Sequence, residues 1–153
     1  MRKFLVVMDD SPECINAMRF AAMRAQKTAG GVKILAVIHP EEFQHWIGVG
    51  DLMRQEAREK IEEQYAFFRE KMEENEGVTP ELSIREGETA KQVLKEVDED
   101  PEIGILVLAA SAQGGDGPGP LVSQLAGKMA GKMPIPVTVV PGSMSLERMR
   151  AVC

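Results

Sequence analysis

Short apolar runs alternate with longer amphipathic stretches along the whole chain. The runs have the length of strands and are almost continuously apolar, which is typical of strands that are buried on both faces of a parallel sheet. They predict five strands, at Lys3–Met8, Val32–Ile38, Glu81–Ile84, Ile103–Ala109 and Val137–Val140.

The stretches between these runs carry apolar residues at helical spacing. Ser11 is the predicted N-cap of the first helix, and Pro12 suits the first helical position because its missing N–H has no partner there. Gly77 is predicted to end the second helix. The predicted helices are Pro12–Lys27, Asp51–Glu76, Thr89–Asp98 and Pro120–Lys132, with a weaker signal at Leu146–Ala151.

The regular alternation of strand and helix, without a repeat or an internal linker, predicts one domain over residues 1–153. We expect an α/β fold, namely a doubly wound, five-stranded parallel sheet with right-handed crossovers and helices on both faces. A chain of 153 residues is long enough to bury a core of this kind. Residues 141–153 form a C-terminal tail, which packs either on the surface of the domain or on a partner.

Composition excludes several classes of function. A net charge of −6 disfavours binding to nucleic acid or to anionic membranes, since both need a basic face. No stretch is apolar over the length of a membrane span, and the apolar run near the N-terminus is too short for a signal peptide. Cys14 and Cys153 suggest no disulfide framework. We therefore expect a cytoplasmic protein.

Two segments at strand ends carry the candidate chemistry. Asp9 and Asp10 follow the first strand, at the edge of the sheet where open α/β folds bind ligands. The fourth strand is followed by the glycine-rich loop 111–120, which leads into a helix, and such a loop offers backbone N–H groups to an anion. The loop after the third strand, 85–88, is short. This contrast favours strand order 3-2-1-4-5, with a nucleotide-sized cleft between Asp9 and residues 109–120.

Simpler interpretations of the same segments stay open. A plain connector is the simpler interpretation of the glycine-rich loop, and a turn is the simpler interpretation of Asp9-Asp10. His39 and His45 lie six residues apart without a matching Cys/His/Asp cluster nearby, so no metal site is expected there. The segment that contains Phe43, His45 and Trp46 is better suited to covering the core or an interface than to stacking on a nucleotide base.

Two other nucleotide or phosphate motifs do not fit. Gly127-Lys128 resembles the end of a Walker A loop, but Val122 and Met129 replace residues that the motif requires. A phospho-accepting receiver domain needs an aspartate after the third strand and a lysine after the fifth. Arg85 and Pro141 stand there instead.

The pattern as a whole resembles the universal stress protein family. The resemblance covers residues 3–140 and implies a small cytoplasmic dimer that is produced under stress, in a family where some members bind ATP and others do not. It is carried by Phe4–Ser11, Ile34–Ile38, Arg85–Glu88, Ile105–Ser111 and Pro134–Val140.

In nucleotide-binding members, an aspartate ending the first strand and a valine near the end of the second hold the adenine and ribose. These positions correspond to Asp9 and Val37. A glycine motif after the fourth strand holds the ribose and phosphates. Its literal spacing falls on Gly114, Gly117 and Gly127, with Lys128 in place of Ser or Thr.

Counting back from the fifth strand gives a second register of the glycine motif, which we prefer because it keeps the motif near the start of the fourth helix. It falls on Ala109, Ala112, Ser123 and Gln124, with one extra residue and four glycines in the intervening loop. The ligand that the resemblance implies is ATP or AMP, with a Mg²⁺ ion that Asp116 would help to hold. The predicted binding residues are Val7, Asp9, Val37, Leu108, Ala109, Gly115, Gly117, Ser123 and Gln124.

Two functions follow from this pattern. The first is a stress-response regulator that binds an adenine nucleotide; no general base or arginine is positioned to activate water, so catalysis would be slow ATP hydrolysis at most. The second is a module without nucleotide that binds protein partners through the segment Pro40–Gly50 and the long acidic helix. In either case the resemblance implies a homodimer through the fifth strand, whose apolar edge Val137–Val140 needs a cover.

Overall fold

The computed structural model describes residues 1–40, 50–112 and 117–153. The strands are β1 Lys3–Val7, β2 Gly31–Ile38, β3 Glu81–Glu86, β4 Ile103–Ala110 and β5 Val137–Pro141. The longer helices are α1 Cys14–Thr28, α2 Gly50–Asn75 and α3 Thr89–Glu99. After β4 the chain forms a single α-helical turn, α4 Pro120–Val122, and after β5 it forms α5 Leu146–Val152.

The five strands form one parallel sheet in the order β3-β2-β1-β4-β5. This confirms the predicted fold class and strand order. Successive residues of the central strand β1 point to opposite faces, and both Leu5 and Val6 are fully buried. Burial on both faces explains why the central strands are apolar at nearly every position.

Helices cover both faces of the sheet. One layer of the core packs the sheet against α1, α2 and α5, and the other packs it against α3 and the helical segment after β4. The alanines of α1, including Ala21 and Ala22, are fully buried and let this helix approach the sheet closely. Of the described helices, none is both long and apolar enough to cross a bilayer.

The predicted N-cap role of Ser11 is wrong. Helix α1 begins at Cys14, and the residue before it, Glu13, makes no capping hydrogen bond with its side chain. Ser11 instead donates from its main-chain N (2.9 Å) and from Oγ to Oδ1 of Asp9. The charged carboxylate of Asp9 is a strong acceptor for both donors of Ser11. The local turn that they form places the start of the helix later in the chain than predicted, at Cys14.

The predicted continuous helix Pro120–Lys132 is also wrong. After α4 the chain winds as a π-helix at Ser123–Lys128 and then as a 3₁₀ turn at Ala130–Lys132. The N–H of Met129 donates to the carbonyl of Gln124, five residues earlier (2.8 Å). Gly127 and Gly131 lower the α-helical preference of this stretch, which allows other windings.

The C-terminal tail packs on the same chain. Ser145 caps α5 by accepting a hydrogen bond from the N–H of Arg148 (3.1 Å), and Met149 is fully buried. The side-chain amide of Asn16 in α1 donates to three carbonyls after or at the end of β5, those of Pro141, Gly142 and Met144, at 3.0–3.2 Å. These contacts fix the start of the tail against α1.

A network of ion pairs joins the sheet to α3. Lys33 of β2 contacts Glu96 (2.8 Å) and Asp100 (2.9 Å), and Lys3 of β1 also contacts Asp100 (3.1 Å). Arg85 of β3 contacts Glu96 (2.8 Å). The hydrogen bond from Lys33, helped by that from Lys3, lowers the pKa of Asp100 to about 2, although partial burial opposes the shift. The network therefore contributes to stability when its carboxylates are ionised.

The ionisation of Asp100 predicts a loss of stability in acid. Its pKa is lower in the folded than in the unfolded chain, so its contribution is complete above pH ~4 and is lost as the pH falls towards about 2. We expect Asp100→Asn to destabilise the protein by about 1–2 kcal/mol at neutral pH and to have a smaller effect near pH 2. Urea denaturation at several pH values would measure this. Asp98→Asn, on the exposed side of α3, is the control, and an equal cost of both substitutions at every pH would contradict the prediction.

Candidate functional site

The carboxyl ends of β1 and β2 open into a cleft of about 540 Å³. Its floor includes Val7 at the end of β1, Asp9 just after β1, and Val37 near the end of β2. Its sides are formed by α2, by the start of α3 and by residues 120–124. The cleft lies beside the switch point of the sheet, where ligands bind in doubly wound folds, but its described lining includes residues of β1 and β2 and none of β4.

Asp9 is held in a fixed orientation at the floor of the cleft. Oδ1 accepts both hydrogen bonds from Ser11 described above. Since both hydrogen bonds from Ser11 use Oδ1, Oδ2 is available to accept a hydrogen bond from a ligand. A carboxylate oriented in this way suits a ligand hydroxyl or amino group.

Helix α2 forms a wall that the sequence analysis did not assign to the site. Ala57, Lys60, Ile61 and Gln64 line the cleft along one side of this helix. Gln64 Nε2 donates to Oδ1 of Asp10 (2.9 Å), and Lys60 Nζ lies 3.5 Å from its Oδ2. Only Ala57 had a signal in the sequence, because it extends the apolar stripe of Ile61 and Tyr65 by one helical turn towards the start of the helix. The polar residues Lys60 and Gln64 had none.

A second pocket, which we call the side pocket, has a volume of about 330 Å³ and lies between the end of β4 and the start of α1. Leu108 and Ala109 line it, together with Val7 and Asp9, which line the cleft as well. Pro120 and Leu121 also border both spaces. The end of β1 therefore connects two adjoining spaces that together border both neighbouring strands.

The predicted binding residues are distributed unevenly over these two spaces. Val7 and Asp9 line both, Val37 and Gln124 line the cleft, and Leu108 and Ala109 line the side pocket. Gly117 and Ser123 are exposed and are not among the described residues that line either space. The N–H of Ser123 donates to the carbonyl of Gly119 (3.0 Å). Gly115 lies outside the described residues, as do Gly114, Asp116 and the aromatic residues of 41–49.

The described part of the cleft is more acidic than basic. Asp9, Asp10 and Glu88 line it, and Lys60 is the single lysine or arginine among its described lining residues. Gln124 Nε2 donates to Oε1 of Glu88 (3.3 Å), which links residue 124 to the start of α3. Such a cleft favours ligands that offer hydroxyl or amino groups over ligands that carry many negative charges.

Neither thiol chemistry nor a preformed metal cluster is found in the described residues. Burial raises the pKa of Cys14, in the side pocket, to about 12, so the thiol is neutral, and its Sγ donates to the carbonyl of Val7 (3.7 Å). No group of three or more His, Cys, Asp or Glu side chains in residues 1–40, 50–112 and 117–153 is arranged to hold a metal. Asp116, the predicted Mg²⁺ ligand, lies outside these ranges.

Comparison with solved structures places the fold among the universal stress proteins. The universal stress protein UspA from Lactobacillus plantarum has a TM-score of 0.68 at 17% identity, with 91% of this chain and 97% of that chain covered. A universal stress protein in complex with cAMP has a TM-score of 0.57 at 16% identity, covering 93% and 98%. A universal stress protein from Archaeoglobus fulgidus in complex with dAMP has a TM-score of 0.60 at 16% identity, covering 92% and 98%.

At these identities the structural likeness shows the fold alone. No curated protein matched the sequence. Membership is shown by the family model described as "Universal stress protein family", which matches residues 1–141. With nearly the whole of the chain matched, and with the sheet order and ligand cleft described above, this protein belongs to the universal stress protein family.

Proposed function

We propose that this chain is a cytoplasmic stress-response regulator that binds an adenine nucleotide of the AMP type in the cleft. The observation that carries the proposal is the cleft of about 540 Å³ at the carboxyl ends of β1 and β2, with Asp9 oriented at its floor. Its volume is in the range of small-ligand sites, roughly 300–1,000 Å³. Complexes of similar folds with cAMP and dAMP support the choice of ligand class.

In this proposal Asp9 and Val37 contact the adenine and ribose, while residues 109–124 contact the phosphate. The hydroxyl groups of a ribose and the amino group of an adenine are donors, so they match the acceptor oxygen of Asp9. Leu108 and Ala109 border the adjoining side pocket, which gives the ligand room beyond the cleft. Gly115, Gly117 and Ser123 remain predicted phosphate contacts.

The charge of the cleft favours a monophosphate over a triphosphate. Three carboxylates and Lys60 line its described part, so every additional phosphate charge is placed in an acidic environment. ATP with Mg²⁺ is the less favoured ligand in this proposal. It would depend on Asp116 to hold the metal.

Thermal unfolding with added nucleotide tests the proposal. AMP or cAMP should raise the melting temperature, because a ligand that binds the native state at 100 times its Kd adds about 2.7 kcal/mol of stability. MgATP at the same concentration should raise it less. GMP is the control for the base. If none of these ligands moves the midpoint, the nucleotide proposal is wrong and the interaction module becomes the better interpretation.

The second candidate function, a dimeric interaction module, is favoured by the edge of the sheet. Strand β5 is an edge strand, and Val139 is 39% exposed on it. An apolar edge with unpaired backbone groups is a surface for pairing with a second chain. Of the two surfaces proposed for protein partners, α2 is described and residues 41–49 are not.

We expect Val139→Lys to convert a homodimer into a monomer, because it places a charge in the centre of the apolar edge. Sedimentation velocity at several concentrations would measure the change. Leu52→Lys is the matched control, since Leu52 is exposed on α2 and is not part of β5. A dimer that persists in Val139→Lys would exclude β5 as the interface.

A further inference from the structure

A third pocket lies between α1, α2 and α5 and shares no lining residue with the cleft. We call it the basic pocket, and its volume is about 480 Å³. We propose that the basic pocket binds a long-chain carboxylate, which is an anionic head group on a flexible alkyl chain. The proposal is independent of nucleotide binding.

The inside of the basic pocket is apolar and rich in sulfur. Met18 and Met72 are nearly fully buried at its base, and Met23 and Phe68 are partly buried beside them. Cys153, the residue after α5, also lines the pocket, and burial raises the pKa of its thiol and keeps it neutral. Unbranched thioether side chains adapt to irregular shapes, which suits a flexible alkyl chain.

The rim of the basic pocket carries four exposed cations in a chain whose net charge is −6. Arg19, Lys27, Lys71 and Arg150 border it, and none of them forms a salt bridge with a carboxylate of the described residues. Lys71 Nζ lies 6.0 Å from the centre of the Phe67 ring. The rim therefore offers positive charge without a salt bridge beside an apolar interior.

Two acceptors near the rim do not cancel this charge. Glu76 is the only carboxylate side chain among the described lining residues, and burial raises its pKa while Arg150 and Arg19 oppose the rise. The main-chain oxygen of Cys153 already accepts a hydrogen bond from Nη1 of Arg24 (3.2 Å). Arg24 does not line the pocket and is therefore not counted among the four cations. Four cationic side chains against one carboxylate side chain leave the described part of the pocket complementary to an anion.

The size of the basic pocket favours a small molecule over a docked peptide. A space of about 480 Å³ enclosed by three helices is typical of sites for ligands of drug size. A stable protein interface needs about 800 Å² from each partner, which calls for a wider surface. An apolar interior with charge confined to the rim then defines the ligand as an amphipathic anion.

Titration with dodecanoate below its micelle concentration tests the proposal, with 1-dodecanol as the uncharged comparison. In ¹H–¹⁵N correlation spectra, we expect dodecanoate to shift residues of α1, α2 and α5 around Met18, Met72 and Cys153. The alcohol should bind more weakly. Shifts at Asp9 and Val37 instead would assign the fatty acid to the cleft and overturn the proposal, as would the absence of any saturable shift.

Charge reversal separates recognition of the head group from a general affinity for apolar chains. We expect Arg19→Glu combined with Arg150→Glu to weaken dodecanoate binding about tenfold, since each exposed charge contributes up to about 1 kcal/mol. Lys95→Glu combined with Lys132→Glu changes the net charge equally at exposed sites outside this pocket and should leave binding unchanged. Equal losses in the two double variants, or equal affinity for the acid and the alcohol, would overturn the proposal. Circular dichroism confirms that each variant is folded.

Discussion

Replacing Asp9 by alanine should weaken AMP binding by about 10- to 100-fold, because a hydrogen bond to a charged acceptor contributes about 1.5–3 kcal/mol. The carboxylate lines the cleft, and its Oδ1 is held by the hydrogen bonds from Ser11. Isothermal titration calorimetry with AMP would measure the loss directly. The AMP-induced rise in melting temperature should decrease in parallel.

Two further variants separate the role of Asp9 in binding from its role in the turn. Asp9→Asn keeps an oxygen that can accept the hydrogen bonds from Ser11 but loses the charge, so we expect an intermediate loss of affinity. Asp98→Ala removes an exposed carboxylate on α3 and should leave AMP binding unchanged. Tighter binding of AMP by Asp9→Ala would show that Asp9 acts on the phosphate by repulsion alone, and it would refute the proposed contact.

The second large effect is expected in the core. Leu106→Ala should lower the free energy of unfolding by about 2–5 kcal/mol, since it leaves a cavity that the surrounding side chains fill only partly. Leu106 is fully buried in β4, next to the central strand. This loss is a large fraction of the roughly 5–15 kcal/mol that stabilises a typical domain.

Urea denaturation measures this loss as a lower transition midpoint with an unchanged slope. Leu52→Ala is the matched control, because the same substitution is made at a side chain that is 56% exposed on α2. It should change stability by about 0.5 kcal/mol or less. If the two substitutions cost the same, the assignment of Leu106 to the core is wrong.

The fold was predictable because the central strands are buried on both faces. Strands β1, β2 and β4 are apolar over most of their length, so their positions and their parallel pairing follow from the pattern. Strand β3 was predicted to end at Ile84, but it continues through Arg85 and Glu86. These polar residues give no strand signal, because they are at the sheet edge, where Arg85 pairs with Glu96 of α3 and Glu86 with Arg54 of α2.

The candidate site was predictable only where its residues follow directly from strand ends. The structure places Asp9 and Val37 in one cleft, as the order of the strands requires. Lys60 and Gln64 were missed because they contact Asp10 across fifty or more residues of sequence, and that contact depends on the angle between α2 and the sheet. Sequence spacing carries no information on this angle.

The segment after β4 shows a second reason why sequence did not predict the structure fully. Periodicity predicts a helix from Pro120 to Lys132, but it does not distinguish α-helical from π-helical winding, because both place Leu125 in the core. Hydrogen bonds decide between the two windings, and they depend on the packing of the whole segment.

The ion pairs of α3 have a consequence for the distant end of the same helix. Glu96 and Asp100 fasten its carboxyl end to the strands, while Glu88 and Thr89, at its amino end, border the cleft. A helix of 11 residues is a rigid rod about 16 Å long. We therefore expect acid that breaks these ion pairs to loosen the anchored end and, through this rod, to change the shape of the cleft, although neither Glu96 nor Asp100 is among its described lining residues.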